Sequence, residues 1–172
     1  MRRIMMAVVL SLLLVGPQSF AAQGASKVGV VDSGKILQLL PDTKQAEASL
    51  QAVAAPLQKE LERMSQEYQK GLVAYRQQAA TLSKTAREQK EKDLGLKGQA
   101  IEKFQQEKFG RGGVIEAKQQ ELYLPIRKKV LASIESIAQS EGFNLVFEKS
   151  TSLYTTPEND LTFKVMNQLN IK

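Results

Sequence analysis

Leu50–Leu82 reads LQAVAAPLQKELERMSQEYQKGLVAYRQQAATL, and this stretch decides the fold. Apolar residues recur in it at alternating steps of three and four. One series runs Ala54, Leu61, Tyr68, Tyr75, Leu82. A second runs Leu50, Leu57, Met64 and fades at Gly71 and Gln78. Two apolar columns at a period of about 3.5 residues mark one helix lying along another. The pattern extends from about Thr43 to about Leu82. At about 1.5 Å per residue such a helix is about 60 Å long. A compact domain of this mass is narrower than that, so the helix is expected to project from its domain as an arm. Pro56 lies inside it and predicts a kink or a break near the base.

Beyond Leu82, Ser83-Lys84-Thr85 reads as the tip of a hairpin, and Ala86 to about Ser140 as the returning helix. Leu94, Ile101 and Phe104 keep contact with the outgoing arm. The seam weakens where Lys108 and Arg111 stand at apolar positions. Gly110-Arg111-Gly112-Gly113 reads as a hinge or local break, since each Gly costs a helix about 1 kcal/mol relative to Ala. Leu122, Ile126, Val130, Ile134 and Ile137 then form a stripe at helical period. Pro125 predicts a bend where arm meets body, and Gly142 a left-handed helix cap.

The two ends of the chain supply a small body. Lys27-Val28-Gly29-Val30-Val31-Asp32 is short, β-branched and apolar, the signature of a strand. Lys35 to Leu40 suits a helical turn or two, stopped by Pro41. Asp42 reads as a helix N-cap with Gln45 as its capping-box partner. Phe143, Leu145 and Phe147 fall on one face of a second strand. Leu153-Tyr154-Thr155 reads as another short strand. A terminal helix beginning at Thr156-Pro157 or Asp160 carries Leu161, Val165 and Leu169 on one side. The expected class is α+β: an antiparallel helical hairpin arm (43–122) on a β/α body (22–42 and 123–172). Its expected core is Val28, Val30, Leu37, Ile134, Ile137, Phe143, Leu145, Phe147 and Val165. That set is too small for a self-sufficient core. A sheet of two or three short strands also leaves pairing edges open. The body is therefore expected to be completed by closed oligomerisation. A monomeric body shielded by its own helices is the alternative.

The first residues belong to no fold. Arg2 and Arg3 precede an apolar run from Ile4 to Val15, broken by Ser11 alone, and Ser19-Phe20-Ala21 offers small residues for a peptidase. This is the anatomy of a cleaved secretory signal peptide over 1–21. Ala22-Gln23-Gly24 is a second cleavage candidate. A membrane-spanning helix would need about 20 apolar residues, and this run ends sooner, at Gly16-Pro17.

The composition excludes most catalysis. The chain of 172 residues has no Cys and no His. It therefore has no disulfide framework, no thiolate metal site and no histidine general base. Ser-His-Asp, Cys-His and H-E-x-x-H arrangements are ruled out. Gly34-Lys35 lacks the glycine spacing of a P-loop, and Gly110–Gly113 follows no strand, so neither is a nucleotide fingerprint. Carboxylate pairs such as Glu60/Glu62 and Glu88/Glu91 fall on solvated helix faces. No enzyme, no cofactor and no metal is expected.

Charge placement carries more information. The net charge is +6, and +4 without Arg2 and Arg3. Between Arg63 and Arg111 stand eleven basic residues and six acidic ones, an arm of +5. Ordinary i,i+4 pairing on a solvated coiled coil explains many of these charges but not the excess. An extended basic surface attracts polyanions, acidic chains or anionic lipid. Lys84, Arg87, Lys90, Lys92, Lys97, Lys103, Lys108 and Arg111 are the binding candidates. Tyr68, Tyr75, Leu82, Leu94 and Phe104 read as seam residues.

The order of a signal peptide, the run Lys27 to Leu37, a charged hairpin, the run Ile134 to Phe147 and the terminal Asp160-Leu161-Thr162 resembles the Skp/OmpH family of periplasmic chaperones. The resemblance spans nearly the whole mature chain and is carried by its two terminal blocks. It implies a homotrimer in the Gram-negative periplasm, with a small intersubunit β-barrel as its body. Three basic arms would enclose unfolded outer-membrane proteins and keep them from aggregating, without ATP. Pro125 and the Gly110–Gly113 break are particular to the returning arm here and bear on its stiffness. The alternatives are a structural coiled-coil protein of the envelope, or a binder of polyanions, anionic lipid or lipopolysaccharide. No nucleic-acid motif accompanies the charge, and no nucleic acid is expected as partner.

Overall fold

The structure, a computed structural model, describes residues 26–171. The expected leader and both cleavage candidates lie outside the described residues. The chain begins with strand β1 (Val28–Val31) and a short helix α1 (Ser33–Leu39). Next come the long helix α2 (Pro41–Gln78), the returning helices α3 (Lys84–Phe109) and α4 (Val114–Ser140), strand β2 (Leu145–Glu148) and helix α5 (Thr162–Gln168).

The seam read between Thr43 and Leu82 becomes one helix of 38 residues, α2. It runs through Pro56 without a break, contrary to the expected interruption; the ring sits on an exposed position, where water satisfies the carbonyl it leaves free. Its start also differs from expectation. Pro41 is the first helical residue, with Leu40 before it, and Asp42 lies in the first turn and caps nothing. Proline suits that position because its missing N–H would have no helical partner there and its φ is already helical. Asp42 instead faces the positive helix end, and its carboxylate accepts from Lys129 at 2.7 Å.

The returning segment is two helices. It breaks at 110–113, where Gly112 takes φ +73°. α4 continues through Pro125 and ends at Gly142 in the left-handed conformation, φ +72°. The Phe143 N–H then donates to the Ala138 carbonyl at 2.8 Å, closing the helix end.

The sheet has two strands, paired in parallel with Val28 opposite Leu145 and Val30 opposite Phe147. Parallel strands need a crossover connection, and here the whole arm serves as one. On its other edge β1 meets Asp160 in a single bridge, and the Leu161 N–H donates to the Val30 carbonyl at 2.8 Å. Leu153–Thr155 forms no strand among the described residues. It follows a 3-10 turn (Lys149–Thr151) as irregular chain.

The core lies where α1, α5 and the base of α4 meet one face of this sheet. Ile36, Leu40, Leu161 and Val165 are sealed from solvent, each contributing about 1.5–3 kcal/mol of burial. Gly29 lets β1 approach that core. A Cβ there would stand 3.0 Å from the Phe143 ring and 3.2 Å from Leu161.

Polar groups fix the turn from β1 into α1. Asp32 caps the helix, its Oδ1 accepting from the Lys35 N–H at 2.8 Å. Its own N–H donates to Thr162 Oγ1 at 2.9 Å, and the Ser33 N–H donates to the Glu148 carboxylate at 3.1 Å. Both ends of the chain are thus joined at one point.

Candidate functional site

At about 1.5 Å per residue, α2 gives the arm a length of about 57 Å. α3 returns along it in a steady register. The Tyr75 hydroxyl donates to the Glu91 carboxylate, Gly71 faces Leu94 and Tyr68 lies against Gly98. Glu91, by that hydrogen bond, holds the Tyr75 hydroxyl above its ordinary pKa. At the tip Ser83 caps α3, its Oγ accepting from the Ala86 N–H at 3.3 Å. Arg87 reaches back and donates to the Ala79 carbonyl at 2.8 Å, tying down the last turn of α2.

This arrangement sorts the eight basic candidates. Arg87 is engaged within the tip. Lys84 and Lys103 lie 4.0 and 3.8 Å from Glu88 and Glu107, loose pairs on exposed helix faces that are worth little in water. Lys108, half-buried, sits over the Phe104 ring at 5.9 Å. Lys90, Lys92, Lys97 and Arg111 are exposed and make no ion pair among the described residues. Nearer the body, Arg63 is held between Glu60 at 2.6 Å and Glu67 at 2.5 Å, which raises its pKa further. On α2, Lys59, Lys70 and Arg76 are likewise exposed and make no ion pair among the described residues, so free positive charge lies on both helices of the arm. Between the helices near the tip is a cleft walled by Tyr75, Leu82 and Leu94 and flanked by Lys90 and Lys97.

A second surface lies on the body. Of the nine residues expected in its core, Val30, Phe143 and Val165 are buried, and Leu37, Ile134 and Ile137 pack against the core half-buried. Val28, Leu145 and Phe147 are 38%, 53% and 51% exposed. The sheet turns Val31 and Val146 toward the core of its own chain, so alternation places Leu145 and Phe147 on the other side. Phe143 precedes the strand and escapes the alternation, which is why it is buried and they are not. Leu153 and Tyr154, beside this bare face, are 106% and 82% exposed. The sequence reading assigned them to a strand and missed the patch. The signal was there in VGVV and LVF, apolar at successive positions, as in strands covered on both faces.

Among the described residues no group of three or more His, Cys, Asp or Glu is placed to hold a metal ion. No helix among them is long and apolar enough to cross a membrane.

A basic two-helix arm on a small two-strand body defines a class, and comparison with known proteins places the chain in it. The model of the family described as outer membrane protein (OmpH-like) matches residues 27–169. The chain belongs to the OmpH-like family. It is 25% identical over 156 residues to the chaperone protein Skp of Photorhabdus luminescens, covering 88% of this chain and 90% of that one. With the chaperone protein Skp of Vibrio cholerae it shares 22% identity over 182 residues, covering 98% and 99%. The crystal structure of an OmpH-like protein of Caulobacter crescentus superposes with a TM-score of 0.67 over 84% of each chain at 18% identity, a likeness of fold. The relatives are named as chaperones, in keeping with a chain that offers no catalytic constellation.

Proposed function

We propose that this chain is a chaperone for outer-membrane proteins, working as an ATP-independent holdase in the periplasm. The observation that carries this reading is the long arm that holds Lys90, Lys92 and Lys97 on α3, and Arg111 in the loop after it, exposed and without ion pairs among the described residues. An unfolded chain is large and irregular, and a rigid pocket suits it poorly. Many weak contacts along an extended surface suit it better, because confinement after the first contact strengthens the rest. Positive charge on such a surface raises the rate of encounter with acidic segments, most strongly at low salt. A loose grip also lets the client leave without an energy source.

The reading includes a homotrimer whose arms surround the client, with 22–42 and 123–172 as the shared body and 43–122 as the arm. Two features support the assembly: the bare apolar face at Val28, Leu145 and Phe147, and the outer edge of β2, which has no strand partner among the described residues. The reading also takes residues 1–21 as a cleaved export leader, in keeping with the basic start and apolar run of the sequence there.

The test is light scattering of a denatured outer-membrane β-barrel protein diluted into buffer with the chaperone. Wild type should suppress the rise in scattering. The combined variant Lys84→Glu, Lys90→Glu, Lys92→Glu and Lys97→Glu should capture clients about tenfold more slowly at low salt and lose the salt dependence. Arg87 is left alone because it holds the tip together. Capture at the wild-type rate at low salt would remove the lysines from the mechanism. Absence of suppression by wild type would leave a structural envelope protein as the better reading. The cleft between Lys90 and Lys97 also suits an anionic lipid or lipopolysaccharide. That second reading predicts binding to lipopolysaccharide micelles with no effect on scattering.

A further inference from the structure

One column of the arm's seam runs out before the tip. Leu50, Leu57 and Met64 are half-buried at steps of seven residues, and the next two positions are Gly71 and Gln78. The other column continues through Tyr75 to Leu82, both half-buried. In paired helices each seam side chain fills a hole on its neighbour. Gly71 has no side chain to offer, and Leu94 of α3 leans into its place: a Cβ on Gly71 would stand 3.0 Å from Leu94 Cδ2. Gln78 is exposed. The two missing knobs leave the cleft between the helices, about 370 Å³ in volume, with Ala74 in its lining and Leu96, 55% exposed, at its side. Ligand pockets run from about 300 to 1,000 Å³, so this one has room for one or two side chains and not for a long segment.

The walls are set before anything enters. Glu91 holds the Tyr75 hydroxyl, and the Gln89 amide donates to the Asp93 carboxylate at 2.8 Å. Lys90 and Lys97 line the cleft seven residues apart on α3, which is about 10 Å along a helix. Neither makes an ion pair among the described residues. The cleft therefore faces two free ammonium groups and one carboxylate, Asp93, that is already hydrogen-bonded.

We infer that the vacated seam is a subsite for one bulky apolar side chain with a carboxylate close to it on the same chain. The side chain takes the place of the missing knobs against Tyr75, Leu82 and Leu94. The carboxylate lies against Lys90 or Lys97. An exposed ion pair alone is worth little, but a side chain already seated in the cleft confines the carboxylate beside the lysines. An unfolded chain offers this combination wherever Asp or Glu neighbours a large apolar residue, and at its C-terminus when the last residue is apolar. A folded chain buries the apolar half, so the subsite selects unfolded chains. The inference rests on the reading of the arm as a holder of clients, and adds a point of selection to an otherwise diffuse grip.

The test is a titration of the full protein followed by NMR on the leucine methyl signals of Leu82 and Leu94, with four short peptides. The first ends in phenylalanine with a free carboxylate. The second is its C-terminal amide. The third is that amide with glutamate placed beside the phenylalanine. The fourth is the first peptide with alanine for phenylalanine. The first and third should shift both signals, binding at least threefold more tightly than the amide and at least tenfold more tightly than the alanine peptide. Binding by the first alone would assign the carboxylate to a chain end, and by the third alone to a side chain. Lys90→Gln with Lys97→Gln should bring the carboxylate peptides down to the level of the amide. Gln78→Leu refills the seam, so it should raise the melting temperature while weakening the first peptide at least tenfold. Ala74→Leu should block the cleft in the same way, with helix content unchanged.

Raised stability with unchanged peptide binding would mark the gap as loose packing and overturn the subsite. Lipopolysaccharide micelles that shift the two signals where no peptide does would overturn it in favour of a lipid. Wild type that suppresses scattering but gives no peptide shift would sink the subsite and leave the holdase reading standing. Peptide shifts from a wild type that fails to suppress scattering would remove clients as its occupants.

Discussion

Asp160 shows how single side chains join the two ends of this chain. Burial pushes its carboxyl up, but the Lys149 ammonium at 2.6 Å and the hydroxyl and N–H of Thr162 outweigh that and hold its pKa below the ordinary value. A lowered folded value stabilises the fold above the unfolded carboxylate pKa of about 3.9, and the contribution is lost as pH falls through the lowered value. Asp160→Asn should therefore lower the urea midpoint at pH 6, and the gap to wild type should close below about pH 4. A gap of constant size down to pH 2 would mean that the carboxylate charge contributes nothing. Contacts of this kind were not legible in the sequence. Asp32 with Thr162, and Ser33 with Glu148, lie more than a hundred residues apart along the chain, and no local pattern announces such a pair. Gly29 read only as part of an apolar strand. Its tight approach to Phe143 and Leu161 became visible once the strand was placed.

At the level of elements the helices were the most legible part, because their seam repeats. The series from Ala54 to Leu82 implied one long rod, and Leu122 to Ile137 implied the helix that packs under the body. Where the seam failed, at Lys108 and Arg111, the chain does break, just after Phe109. What periodicity left open was the effect of each proline. An exposed ring on a helix supported along its length does not interrupt it, as Pro56 and Pro125 show. Asp42 was misread for a related reason: the proline before it had already begun the helix. Glycines in the arm allow a sharper comparison. A Cβ at Gly95 would meet nothing within 4 Å, whereas one at Gly71 would stand 3.0 Å from Leu94. Gly95→Ala should stabilise the arm by about 0.5–1 kcal/mol. Gly71→Ala should gain less or lose, since Leu94 must move. Thermal melts followed by circular dichroism separate the two, and equal shifts would show that the close approach at Gly71 has no energetic effect.

At the scale of the whole molecule the body is too thin to account for its own apolar surface. Strand existence was legible from composition, but which face turned inward was not, since VGVV and LVF are apolar on both sides. If the bare face is covered by further copies of the chain, Leu145→Asp with Phe147→Asp should yield monomers in sedimentation at micromolar concentration. Helix content should stay near that of wild type, because both side chains lie off the core of their own subunit. A double variant of unchanged mass would place the contact elsewhere. The pairing of Val28 with Leu145 has one more consequence, for the order of folding. Closing a loop of more than a hundred residues by chance is slow and entropically unfavourable. A hairpin that zips from Ser83 downward shortens that search, because each turn formed brings the two termini nearer. The projecting arm is thus also the scaffold along which the distant strands find each other.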